Sequence, residues 1–256
     1  MISDIRLRLS AALCCSLLGA CSGASVSTTD GVSVDLWAEV TQSAQADGSV
    51  PRAETGPKHV TTSEGIRITL DSAYLVLWQL ALKSDCSGSN FAPAPWWLGW
   101  ISNAYAHVES TPWQSGIPQI IDITSAEGTT QWLDTLNPTP GHYCGASVQI
   151  KAADDDANGL DTAPHMEGYS VYLQGSYLQD GQNTPFTVAS SKTLFPAERL
   201  FPAALIIDSE HKSGAVSFAL HYDRWFDGVD LRLLAQGDIP DSLLTNIVNS
   251  ISATAD

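Results

Sequence analysis

The stretch "IRITLDSAYLVLWQLAL", Ile66 to Leu82, decides the fold. Ile66, Ile68 and Leu70 alternate with polar residues, and from Tyr74 onward both faces are apolar. Apolar residues at every second position mark a strand with one face against a core. A run that becomes apolar on both faces, and is rich in β-branched and aromatic residues, reads as a strand covered on both sides rather than a helix. The expectation is therefore a long central strand with one packing layer on each face.

The flanking sequence extends this pattern. In "VSVDLWAEV", Val32, Val34, Leu36, Ala38 and Val40 share one face, as in a half-buried strand. Residues 41–65 are polar and without period, and read as a loop. Downstream, "QIIDI", "HYCGASVQIKA", "YSVYLQGSYL", "TPFTVASSKTLFPA" and "AALIIDSEHKSGAVSFALHYD" read as strands, separated by turn signals such as "NPTPG". "TTQWLDTL" reads as a helical turn. Leu243, Leu244, Ile247, Val248 and Ile251 recur at helical spacing behind Asp241. Many short strands with turns between them predict an all-β protein. Its form is a single antiparallel β-sandwich over residues 32–256, with a long Trp-rich loop and a short C-terminal helix.

That loop, residues 84–118, carries Trp96, Trp97, Trp100 and Trp113 together with several prolines. Long irregular loops in compact domains are more often functional than not, and clustered exposed tryptophans mark interaction surfaces. The alternative is that these indoles close one end of the core.

The N-terminus speaks to location. Arg6 and Arg8 precede the apolar run "AALCCSLLGA", which is shorter than the roughly 20 residues a spanning helix needs. Residues 1–20 read as a secretory signal. Leu18-Gly19-Ala20-Cys21 resembles the lipobox of bacterial lipoproteins. The resemblance implies cleavage before Cys21, acylation of that cysteine, and residues 21–31 as a flexible tether. Ser22 after the cysteine implies the outer membrane, with the domain facing the periplasm or the cell surface. The expected partners are then the membrane, through the N-terminal lipid, and an envelope protein.

The chain has a formal net charge of −16. That argues against nucleic acid and anionic lipid surfaces, which need clustered Lys and Arg. With Cys21 acylated, Cys86 and Cys144 remain downstream of the signal as one pair. An oxidising compartment favours a disulfide between them, which loop-closure entropy values at about 4–5 kcal/mol at most. The competing reading is two thiolate ligands for a soft metal.

Several segments, taken in order, resemble a group of bacterial lipoproteins distantly similar to the MbnP-like family of periplasmic copper-binding proteins. They are "ITLDSAYLVLWQLAL" before a cysteine, "AHVESTP…GIPQIIDIT", "LNPTPGHYCGASVQI", "MEGYSVYLQG" and "LHYDRWFDGVDL". The resemblance covers most of Ile66 to Leu231 and implies a periplasmic β-sandwich with a role in copper handling. The family's copper ligands do not map residue by residue onto this chain. Tyr105 stands where the resembling chains often carry a second histidine, two before His107.

Two metal sites are expected from the residues themselves. His107, Glu109, His165 and Met166 offer imidazole, carboxylate and thioether donors on two loops, a set that suits copper. Asp154, Asp156, Asn158 and Gly159 follow the D-x-D-x-N-G order of a calcium loop, with Asp161 behind them. His165 holds position twelve, where an EF-hand has its bidentate Glu, so the order also fits a solvated acidic turn. There is no G-x-S-x-G, no H-E-x-x-H and no phosphate-cradling loop. His221 and Asp223 share a strand face without an evident nucleophile. The expectation is a binding protein, not an enzyme.

Overall fold

The computed structural model describes residues 31–43, 55–84 and 110–256. Among the described residues, eleven strands form two sheets. The smaller has the order β11-β10-β1-β5, built from β11 (Ile251–Ala255), β10 (Ser213–His221), β1 (Ser33–Thr41) and β5 (Thr130–Leu136). The larger runs β8-β7-β3-β6-β9, from β8 (Gln182–Ser190), β7 (Val171–Gln179), β3 (Arg67–Lys83), β6 (Gly141–Ile150) and β9 (Leu194–Ile207). β2 (Lys58–Thr61) and β4 (Gln119–Asp122) add to it by pairing with β3. Two helices complete the fold, α1 (Leu231–Ala235) and α2 (Asp241–Asn249). This is the expected all-β sandwich. All strand pairs are antiparallel except β1–β10, which is parallel.

β3 organises the molecule as its sequence predicts. Ala73, Leu75 and Leu77 enter the main core between the sheets, while Val76 enters a second, smaller cluster. Antiparallel partners keep the same sides: Ile121 opposite Leu75 lies in the main core, and Ile120 opposite Val76 in the second cluster. Cross-strand residues share a face, so the two clusters mark the inner and outer faces of one sheet. β7 crosses β3 very closely at Gly175, where a Cβ would sit 2.0 Å from the Thr69 carbonyl oxygen.

Three expectations about elements are corrected. "TTQWLDTL" is strand β5, not a helical turn. Its apolar spacing misleads because the register with β1 shifts at Leu36/Trp37, Leu133 being the extra residue on β5, so that the buried Leu133 and Leu136 fall three apart. The presumed loop 41–65 contains β2, whose Lys58 is fully buried, a residue that hides a strand from any hydrophobic pattern. Ile251 does not end the C-terminal helix but opens β11, and the helix starts behind Pro240 with Asp241 as its first residue.

Candidate functional site

The expected calcium loop is a cover. Residues 151–169 lie over the outer face of the larger sheet, and their small apolar residues do the packing. Ala153, Ala157, Ala163 and Met166 are buried with Val76 and Ile120. Asp155, Asp156 and Asp161 lie on the exposed side. Backbone bonds fix the loop along β4: Asn158 N–H donates to the Pro118 carbonyl, and Ile120 N–H to that of Asn158. A parallel bridge from Ala153 to Glu167 closes it. Gly159 has φ +92°, and a Cβ there would come within 3.3 Å of Ile120 Cβ. The glycine that fits a calcium loop is thus needed for close approach to β4. Among the described residues, no three His, Cys, Asp or Glu side chains are placed to hold a metal ion.

His165 and Met166 are separated in role. Met166 is completely buried in the outer cluster. His165 is exposed, and its ring meets Tyr74 and Tyr172 edge-on at centroid distances of 5.0 and 4.7 Å. Those tyrosines are direct cross-strand partners on β3 and β7. One residue therefore plugs the cover into the sheet and its neighbour is clasped by two rings above it. Of the copper set anticipated from the sequence, His165 and Met166 are the two described members. His107 and Glu109, its other members, lie outside the described residues, as do Cys21, Cys86, Trp96, Trp97 and Trp100.

The described flanks of residues 85–109 meet at the end of β3. Leu82 N–H donates to the Trp113 carbonyl and Ala81 bridges Gln114. Just before this point β3 bulges, with Gln79 at φ +49°, a left-handed conformation that strains a side-chain-bearing residue. Beside the bulge, Trp78 is buried and the Lys151 ammonium sits 4.2 Å above its ring. Trp113 and Ile117 are each 41% exposed, the only large apolar side chains of the described part of the Trp-rich loop to be so. Cys144 Sγ lies 3.5 Å from the Lys83 carbonyl oxygen at the same end.

A further polar cluster has no hydrophobic signature by which to find it. Lys58 Nζ is 3.3 Å from Glu127 Oε1, with both side chains essentially buried. The Tyr222 hydroxyl donates to the same carboxylate and accepts from Gln42 Nε2 (2.6 Å). Gln42 N–H donates to Glu127 Oε2 (3.0 Å). Burial, then the bond to Glu127, raises the Tyr222 pKa well above its ordinary value. The network ties the end of β1, β2, the β4–β5 connection and the 3-10 turn Tyr222–Arg224. A fully enclosed ion pair with satisfied neighbours is a structural clasp, without access for a substrate. His221 beside it donates or accepts at Ser252 Oγ (3.0 Å), and burial, then Arg224, lowers its pKa.

No protein-family model matches this chain, and no curated protein matches it. Among solved structures, the chain is distantly similar to MbnP from Methylosinus trichosporium. The alignment covers 73% of this chain and 75% of that one, at 12% identity and a TM-score of 0.29.

Proposed function

We propose that this chain is a lipid-anchored, periplasm-facing envelope protein that binds a transition metal, with copper as the cargo and no catalytic step. The observation that supports it best is the meeting of the two flanks of residues 85–109 at the end of β3. His107 stands three residues before Ser110 in the sequence, and an extended chain spans at most about 3.6 Å per residue. The same bound ties Cys86 to Lys83, whose carbonyl touches Cys144. In this reading His107, Glu109 and the two cysteines act together at one rim of the larger sheet. A Cys86–Cys144 disulfide would stiffen that rim, and the imidazole of His107 is the donor best suited to copper there.

The full chain is expressed with its leader, extracted from membranes and analysed for metal after exposure to copper or calcium. Stoichiometric copper that is lost in His107→Ala supports the reading. Calcium lost in Asp156→Ala would move the site to the acidic cover. Metal at trace levels after both exposures overturns it.

A second reading is favoured by exposed Trp113 and Ile117 at the same rim. In it, Trp96, Trp97, Trp100 and Trp113 form a contact surface for an envelope protein, and binding is indifferent to chelators.

A further inference from the structure

Among the described residues, the outer face of the smaller sheet carries part-exposed side chains, and the residues on that face are unusual. In β1, Val34, Leu36, Ala38 and Val40 are buried, so Asp35, Trp37 and Glu39 point outward. Trp37 stands opposite Trp132 of β5, which is 51% exposed. On the other side Trp37 pairs with Ser217, and Ser217 with Thr254. Asp35 and Glu39 pair with Ala215 and Ala219. Two indoles thus lie side by side, bordered by a shelf of small residues. A carboxylate stands about 7 Å along the strand on each side of Trp37, as strand rise dictates.

The charge on this sheet is one-signed. Its four strands contain Asp35, Glu39 and Asp134 and no lysine or arginine. Neither Asp35 nor Glu39 forms an ion pair with a described Lys or Arg. Asp35 accepts from the Thr135 hydroxyl (2.6 Å), and the field of Glu39 reaches His221. Indole rings present negative faces, so the carboxylates and the rings attract the same kind of group. An uncharged apolar partner would strip water from both carboxylates and return nothing. A guanidinium answers every feature: it stacks flat on indole and its fork pairs with carboxylate.

We propose that the outer face of the β11-β10-β1-β5 sheet is a docking surface for a basic segment of a partner protein, whose arginine side chains stack on Trp37 and Trp132 and pair with Asp35 and Glu39. The surface is separate from the rim proposed for metal and does not depend on it.

The test uses the full mature chain in detergent and an octa-arginine peptide as probe, at physiological salt, with tryptophan fluorescence as readout. Trp132→Thr changes no charge and keeps strand propensity. It should weaken binding about tenfold, the loss expected of one well-formed cation–π contact. Asp35→Asn with Glu39→Gln should weaken it at least as much. Asp155→Asn with Asp161→Asn removes the same charge from the acidic cover and should leave affinity within about twofold. Circular dichroism checks that each variant is folded, and Trp132→Tyr, which keeps an aromatic face, should retain most of the affinity. Equal weakening by the two charge-removing pairs, with Trp132→Thr unchanged, would reduce the attraction to the chain's overall field and overturn the proposal. Failure of the parent chain to bind saturably would overturn it as well.

Discussion

The two sheets of this sandwich treat their outer faces in opposite ways. The larger one is roofed by residues 151–169, which press Ala153, Ala157, Ala163 and Met166 onto Val76 and Ile120 and turn Asp155, Asp156 and Asp161 to water. The smaller one is bare among the described residues, with Trp37 and Trp132 paired across strands and carboxylates beside them. Both regions are acidic, and the acidity has a different meaning in each. On the roof it is the solvated side of a packed segment. On the bare face it surrounds large aromatic surface that the fold itself does not use. An acidic residue becomes informative only when what lies beneath it is known.

The largest expected effect belongs beneath both faces, at the Lys58–Glu127 clasp. Glu127→Ala strands a buried ammonium and should cost about 3–5 kcal/mol in denaturant unfolding. Replacing both partners together, as Lys58→Met with Glu127→Leu, should recover most of that loss, because the isolated charge and not the missing bond causes it. A double variant no better than the single one would show that the clasp holds β2 in place by bonding. Next in size is Met166→Ala. It empties a completely buried position under the roof, and should cost about 2–4 kcal/mol by transfer and cavity terms. If the roof were a loosely attached loop, that loss would be under about 1 kcal/mol, and the contrast between the two outer faces would fail.

Legibility followed the same divide between what packs and what pairs. β1 was readable because burial alternates along it, and β3 because it alternates at its start and is buried on both faces from Leu75 to Trp78. β5 was not, since it carries an extra residue, Leu133, opposite Leu36–Trp37, and β2 was not, since one of its two inward residues is a lysine. The D-x-D-x-N-G order was real and its glycine does adopt a left-handed φ, yet the alanines between the aspartates determined what the loop does. Small apolar residues carry little periodic signal, so the cover could be recognised only once β4 and Val76 were in place. His165 and Met166 looked like a donor pair because they are adjacent. Adjacent residues on a 3-10 turn point to different places, and here one goes into the cluster and the other between two tyrosines.

His165→Ala removes two edge-on ring contacts and should cost about 1 kcal/mol, with the pairing of β3 and β7 intact. The loss should be seen as earlier proteolysis of residues 151–169 under native conditions. Equal susceptibility of parent and variant would leave the buried cluster around Met166 and the backbone bonds to β4 as the fastening of the roof.

The smallest effects are expected on the bare face. His221, at its edge, has a pKa lowered in the fold by burial and by Arg224. Its unfolded value is about 6.5, so the unfolded chain binds the proton more readily. Stability therefore rises with pH through this group and is lost as pH falls below about 6.5 toward the folded value. His221→Gln should flatten that part of a melting-temperature profile. Trp132→Thr, by contrast, should shift stability by no more than about 0.5 kcal/mol, since it exchanges one strand-favouring side chain for another on an exposed face. That near-silence is the sharpest statement of the comparison. An indole that does little for folding and much for binding a basic peptide is held there by a partner. An indole whose loss unfolds the sheet is a packing residue, and the two faces would then differ in appearance only.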